Sequence, residues 1–412
     1  MMKINAKLQS NLIIGVIALL MASLFFAPLL STIFTVILGV FVLTFTKDRK
    51  VNFGKNKKQI LLFSSIYWVY ALGLLYTNDM DKGGFEMGQK LSFLAFPIIF
   101  GLLGKELINK KGFSFILNSF LAIASVYTLV CLINAGFQFF LSGQISVFFY
   151  GELSFLMHPS YYALYLNFAL GIILVQLLKT DIELKKPQQV LYKLLVPLFI
   201  LVIILLESKA GILGLIGVLL AIGLYIMIFQ KNWQKALLFM GLSFAMVFGL
   251  FSIIPNSTSR ITAVIDSVQD EGSAEEHSVS AARLYLWKAN WQAIKKQPIF
   301  GYGTGDVKAQ LIKEYQAQNN KRAVEHNYNS HNQYLQTTVA TGLIGFLALL
   351  LIVLFPVYDG YRNKNVIFFL LGSLMFVNLL VESMFERQAG IMFYAFFLSF
   401  LYFQNPIEKP KD

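Results

Sequence analysis

Twelve apolar runs, most of them long enough to cross a bilayer as a helix, leave this chain few ways to fold. They fall near 11–27, 29–46, 59–76, 89–104, 113–141, 158–178, 191–206, 210–229, 236–254, 335–357, 364–381 and 388–404. In hydrocarbon every backbone polar group must be satisfied internally, and a helix of about 20 apolar residues does that across the whole core. The runs are continuous rather than alternating in polarity, which argues against a strand-based barrel. A chain that is 57% hydrophobic and 14% charged, with mean hydropathy +0.63, carries more apolar surface than a soluble domain can bury. The expected fold class is an all-α polytopic membrane protein of about 12 transmembrane helices. Lys3 and Lys7 before the first run give it some signal-peptide character. A second run after Pro28, and the lack of a small-residue cleavage site, make it a first membrane helix instead. The single cysteine, Cys131, lies within an apolar run and reads as inert packing.

With twelve runs both termini share one side, and the basic residues say which. The segments assigned to the cytoplasm hold 21 of the 34 basic residues and 7 of the 22 acidic ones, a net of +14, against −2 on the other face. Cytoplasmic loops collect Lys and Arg, so both termini are expected inside and the long polar stretch between Pro255 and Gln336 outside. This bias accounts for the pI of about 9.4 without a nucleic-acid partner. The expected organisation is therefore transmembrane helices over 1–254, an extracytoplasmic loop over 255–335, and further helices with a short cytoplasmic tail over 336–412.

The outer loop is the densest polar sequence in the chain. It begins with Asn256-Ser257-Thr258-Ser259-Arg260, and acidic residues Asp270, Glu271, Glu275 and Glu276 follow. Leu284, Trp287, Trp291 and Ile294 then recur at helical spacing, with Lys295 and Lys296 closing the stretch before Pro298. That pattern predicts a short amphipathic helix at the membrane interface. Gly301-Tyr302-Gly303-Thr304-Gly305 lacks both the Lys-Ser/Thr of a phosphate-binding loop and a preceding strand, so a tight turn is the better reading. Asp306 is placed to cap a second helix running to about Gln318.

The loop closes on Ser330-His331-Asn332-Gln333-Tyr334-Leu335-Gln336. Ser330 and Gln333 have capping-box spacing, which puts Ser330 at the N-cap and His331 in the first helical turn. A helix N-terminus offers unpaired amides and positive potential, which suit an anion and disfavour a protonated imidazole. Two readings of His331 follow: a neutral general base, or a polar cap at headgroup level.

These residues resemble a family. Ser330 to Gln336 followed by Thr341-Gly342-Leu343-Ile344-Gly345, and Arg283-x-x-x-Trp287 followed by Pro298-Ile299-Phe300-Gly301-Tyr302-Gly303, are similar to the signature of the O-antigen ligase and polymerase superfamily. The resemblance implies an inverting, metal-independent glycosyltransferase of GT-C type in the bacterial inner membrane, with no cofactor. Such enzymes take a glycan from an undecaprenyl-pyrophosphate carrier on the periplasmic face, and the ligases attach it to the lipid A core. The partners implied are that carrier-linked glycan, the glycan acceptor and membrane lipids.

Carried over by motif, the catalytic histidine is His331 and the loop arginine at the pyrophosphate is Arg283. Where the family has a further arginine this chain reads Glu207-Ser208-Lys209-Ala210-Gly211, so Lys209 keeps the charge without the planar fork. Lys90 fits the family's basic residue at the outer start of the fourth run. Taken singly, Lys90 and Lys209 could equally snorkel to headgroups, and Arg283 could pair with Glu275 or Glu276. Their convergence on one face favours the phosphate role. Arg260 is a reserve candidate for phosphate contact. His158, opening the sixth run beside Pro159, Ser160, Tyr161 and Tyr162, either touches sugar or belongs to an aromatic belt. Glu382, Glu386 and Arg387 either form a structural ion pair or line the site. Asp79-Met80-Asp81 resembles the acidic pair of metal-using lipid-linked transferases, with a solvated loop as the simpler reading.

The acceptor is open at this level. A repeat-unit polymerase or a protein O-oligosaccharyltransferase would share the histidine and the cationic site. A transporter for a lipid-linked sugar is a more distant alternative. It would place charge or broken helices at mid-membrane, whereas here the runs are nearly free of charge.

Overall fold

The structure is a computed structural model that describes residues 5–178, 184–253 and 279–406. Among the described residues there are helices, turns and loops but no strand. The first group of helices is α1 (Ala6–Phe26), α2 (Pro28–Phe45), α3 (Arg49–Phe63), α4 (Ser65–Gly73), α5 (Met80–Lys90), α6 (Ser92–Leu102) and α7 (Lys110–Ser142). Then come α8 (Tyr150–Leu153), α9 (Pro159–Leu178), α10 (Lys186–Leu205), α11 (Lys209–Phe229) and α12 (Trp233–Ile253). The loop region supplies α13 (Val279–Lys296), α14 (Val307–Ala317) and α15 (Lys321–Glu325), and the chain ends with α16 (Gln333–Arg362), α17 (Val366–Val381) and α18 (Gln388–Phe403).

Every apolar run is helical. Among the described residues seven helices are long and apolar enough to cross a membrane alone, or eight if α3 and the Ser65–Tyr76 stretch, bent by 55°, count as one span. Apolar stretches in α12, α17 and α18 are shorter, and the fourth run yields only the 11-residue α6, which contains Pro97. The molecule is thus a multi-pass helical membrane protein, and twelve is the number of apolar runs.

The core is built on two helices that are apolar on all faces. α9 is buried from Pro159 to Val175, and α18 from Gly390 to Leu401. A helix without a polar face has no side to give to solvent and belongs at the centre of the bundle. Phe393, Phe396, Phe397 and Phe400 of α18 meet Phe96, Phe100, Phe113, Phe120 and Phe168 with ring centroids 4.7 to 6.2 Å apart. Most of these pairs are tilted or edge-on, the geometry that ring quadrupoles favour. α11 reaches α9 through Gly211, where a Cβ would come within 2.5 Å of Ala163 Cβ. That close approach lets Asn167 Nδ2 donate to Gly211 O at 2.8 Å.

α16 is two helices joined at a break. Thr341 (φ −132°, ψ 17°) and Gly342 (φ 62°, ψ −157°) leave the helical region, the latter in a conformation nearly confined to glycine. The break frees the carbonyls of Val339 and Ala340, and the amides of Tyr302 and Gly303 take them at 3.0 and 2.9 Å. Leu343 N donates in return to Pro298 O at 2.9 Å. Thr304 N reaches Gly73 O at 3.4 Å and Gly305 N reaches Thr77 Oγ1 at 2.9 Å. Four of the five amides of the glycine-rich turn, those of Tyr302, Gly303, Thr304 and Gly305, are used in stitching α16 to α4 and the α4–α5 connection. The turn reading is borne out, since those four amides are engaged within the protein.

Three local expectations hold only in part. Asp306 occupies the N-cap of α14 and Gln318 its C-cap, but the Asp306 side chain makes no capping bond; its carboxylate accepts from Asn78 N at 2.7 Å and Asp79 N at 3.0 Å, clasping the α4–α5 loop. The expected helix forms as α13, and its inward face carries Leu286, Ala289, Asn290, Ala293 and Ile294, with Trp287 partly buried, while Leu284 and Trp291 are exposed. The small and amide residues turn inward because the helix lies close against the chain around Ser330. Finally, the N-cap of α16 is Asn332, whose side chain accepts from Leu335 N at 3.1 Å, and not Ser330. Ser330 is drawn away because its hydroxyl bonds Gln336 Oε1 and Asn290 Oδ1.

Candidate active site

Two helix entries and one loop converge at the N-terminal end of α16. His331 precedes the N-cap in a left-handed conformation (φ 42°), supported by His331 N donating to Asn329 Oδ1 at 3.0 Å. A non-glycine residue in that region is strained and must be held by its surroundings. Trp287 Nε1 holds the turn from the α13 side through Ser330 O at 3.0 Å, and Ser383 Oγ holds it from the α17–α18 loop through Asn332 N at 3.2 Å. The imidazole is thereby aimed at Glu382, with Nδ1 3.1 Å from Oε1. The expectation of a neutral imidazole rested on a first-turn position that His331 does not occupy.

Glu382 closes α17 and shares its other oxygen with Arg283, whose Nη2 lies 3.7 Å from Oε2. Burial works to raise the Glu382 pKa, but the hydrogen bond and charge of His331, then Arg283, outweigh it and hold it below the ordinary carboxylate value. Burial pulls the Arg283 pKa below its ordinary value against the opposing pull of Glu382. Its Nε is buried and makes no hydrogen bond among the described residues. The Arg283-x-x-x-Trp287 spacing now has a physical meaning: one helical turn carries both the cation at Glu382 and the ring that pins Ser330.

A second ionic cluster lies behind this one. Lys90 is 1% exposed, and its ammonium faces Glu86, Glu386 Oε1 at 3.8 Å, and the Tyr70 ring at 4.5 Å from the centroid. Glu386 is held further by Gln333 Nε2 at 3.1 Å and Gln336 Nε2 at 3.3 Å, while Phe385 N donates to Gln333 Oε1 at 2.7 Å. Burial, then the charge of Glu386, raises the Glu86 pKa against the opposing pull of Lys90. Glu86 was not singled out from the sequence, although its i,i+4 spacing to Lys90 was a readable signal.

Of the remaining candidates, His158 is the one tied to the first cluster. His158 lies within electrostatic reach of Glu382, Arg387 and His331, and its ring is 6.4 Å from Tyr150 and 6.0 Å from Tyr161. Lys209 opens α11 next to its N-cap Ser208, and Ser208 Oγ donates to Ser160 Oγ at 3.1 Å, two residues from His158. Arg387 is exposed at the start of α18. Arg260 lies outside the described residues, as do Glu275 and Glu276. Asp79 caps α5 through Lys82 N at 3.0 Å and pairs with Lys82 Nζ at 2.6 Å, the role of a solvated loop residue. Among the described residues no three His, Cys, Asp or Glu side chains are grouped to hold a metal ion.

Residues 194–350 match a family model described as O-antigen ligase. The resemblance read from the motifs holds. That stretch contains Lys209, Arg283 and His331, whereas Lys90, Glu382 and Glu386 lie outside it. A Haemophilus influenzae protein described as uncharacterized is 27% identical over 157 residues, which are 37% of this chain and 39% of that protein. The chain thus aligns with about two fifths of that relative's length. The chain is thus similar to O-antigen ligases over residues 194–350, less than half of its length.

Proposed function

We propose that the protein transfers a glycan from undecaprenyl pyrophosphate to an acceptor hydroxyl on the outer face of the bacterial inner membrane, with inversion and with the lipid A core as acceptor. Both termini then lie in the cytoplasm and the loop between Pro255 and Gln336 in the periplasm, as the distribution of basic residues argues. The observation that carries the reading is the His331–Glu382–Arg283 constellation, in which one partly buried carboxylate meets both an imidazole and a guanidinium.

In this reading Nδ1–H of His331 donates to Glu382, which leaves Nε2 facing the acceptor. Nε2 takes the proton of the acceptor hydroxyl as its oxygen attacks the anomeric carbon. The bond from that carbon to the phosphate oxygen breaks, and its electron pair leaves with the carrier pyrophosphate. Arg283 and Lys209 stabilise the charge that develops there. In the described structure the Lys90 ammonium serves Glu86 and Glu386. Its proposed phosphate contact would therefore act through the shared charge balance of the site or require it to leave those partners.

Deleting the gene in its host tests the assignment and separates ligase from polymerase. Loss of a ligase leaves bare core with long chains stranded on the carrier. Loss of a polymerase leaves core bearing a single repeat. A wild-type surface glycan after deletion overturns the proposal.

A further inference from the structure

Beside the imidazole lies a cavity of about 370 Å³ that the transfer mechanism does not use. Glu86, Glu386, Gln336, Asn329, Lys308 and Tyr328 are among its walls. Tyr328 also packs against the His331 ring at 5.9 Å and 64°, so cavity and imidazole share one aromatic wall. Behind it the ring is stacked on His326 at 5.4 Å and 20°. The volume falls within the roughly 300–1,000 Å³ typical of small-molecule sites.

The lining selects a ligand class. Two carboxylates, Glu86 and Glu386, offset the two ammonium groups of Lys82 and Lys308, so the cavity has no excess positive charge to draw the pyrophosphate. Glu386 accepts from Gln333 and Gln336 and still has lone pairs to spare, since a carboxylate offers about four acceptor positions. Among the described residues Glu86 hydrogen-bonds only Lys90. Carboxylate acceptors, amide groups of both senses, an ammonium at the rim and an exposed ring edge match a ring carrying many hydroxyls and one apolar face.

We propose that this cavity binds a sugar ring of the glycan next to the reacting hydroxyl, and so sets which glycan the protein accepts. The inference rests on the glycosyltransferase reading above. The ring belongs either to the acceptor or to the non-carrier part of the donor. Both present the same chemistry.

The test uses the full chain in nanodiscs and two free oligosaccharides as probes: the core oligosaccharide released from host lipopolysaccharide by mild acid, and the repeat-unit oligosaccharide of the host surface glycan. Dissociation constants are measured for wild type, Asn329→Trp, Tyr328→Ala and His331→Ala, each checked for monodispersity. Asn329→Trp fills the cavity and Tyr328→Ala removes its aromatic wall. Both are expected to weaken one probe at least tenfold, and the probe affected identifies the acceptor or the donor as the source. The inference is overturned if wild type binds neither probe, or if a folded wall variant binds both unchanged. An active His331→Ala enzyme would instead overturn the mechanism and leave the binding result standing.

Discussion

Glu382 Oε1 lies 3.1 Å from His331 Nδ1, across 51 positions of sequence, and Glu382 Oε2 lies 3.7 Å from Arg283. The carboxylate is the hinge of the site, because it fixes which ring nitrogen faces outward and neutralises a buried guanidinium.

Glu382→Gln should therefore act through His331. An amide keeps the shape but lacks the charge, and loss of such an orienting partner costs about 10- to 100-fold. The drop is expected in kcat of glycan transfer, with folded protein and KM little changed. Because the Glu382 pKa is held below the ordinary carboxylate value, its stabilising contribution is fully present above that ordinary value. It is lost as pH falls through the lowered one. Wild-type thermal stability should decline over that acid range, and Glu382→Gln should decline less. Equal acid sensitivity in the two would contradict the pairing.

Arg283→Lys keeps a positive charge but removes Nε–H and the planar fork. The expected result is a raised KM for the lipid-linked donor with kcat also reduced, together about tenfold or more in kcat/KM, one charge-assisted hydrogen bond being worth roughly 1.5–3 kcal/mol. Steady-state kinetics with donor as the varied substrate provides the measurement.

The buried Lys90 cluster makes a stability prediction. Removing one partner of a buried ion pair leaves an uncompensated charge and costs about 3–5 kcal/mol. Lys90→Met should lower the melting temperature of purified protein by several degrees, because Glu86 and Glu386 then face each other without a cation. Adding Glu86→Gln to Lys90→Met should restore part of the loss. No recovery in the double variant would mean that the lysine acts elsewhere.

Gly342→Ala should destabilise the break in α16. A Cβ there would come within 2.1 Å of Ile299 O, and the backbone region alone costs a side chain about 1–3 kcal/mol. Asp306→Ala should have a milder effect of about 1–3 kcal/mol, because it strips the acceptor from the amides of Asn78 and Asp79. Despite burial, those amides hold the Asp306 pKa below its ordinary value, so the clasp should also loosen as pH falls through that lowered value. Thermal melts at neutral and acid pH read both effects.

The helical membrane class and the position of every apolar run were legible in the sequence, because hydrocarbon leaves the backbone one solution per run. His331 and Arg283 were legible from motifs and do meet at one carboxylate. The identity of that carboxylate was less so. Glu382 and Glu386 lie only four residues apart, and nothing local says that the first serves His331 and the second Lys90. The capping bonds failed for a shared reason: Ser330 and Asp306 had suitable local spacing, but each side chain turned to a partner distant in sequence, the Ser330 hydroxyl donating to Asn290 Oδ1 and the Asp306 carboxylate accepting from Asn78. Glu86 was missed because a lone acidic residue four positions before a lysine usually marks a solvated helix face.

The central claim is that His331 performs the transfer chemistry. It is tested most directly by purified His331→Ala in a transfer assay with lipid-linked donor and acceptor, alongside a melt that reports folding. The account predicts a folded protein with transfer reduced by at least about 100-fold, the scale of a lost general base. Transfer at the wild-type rate by that variant would contradict it.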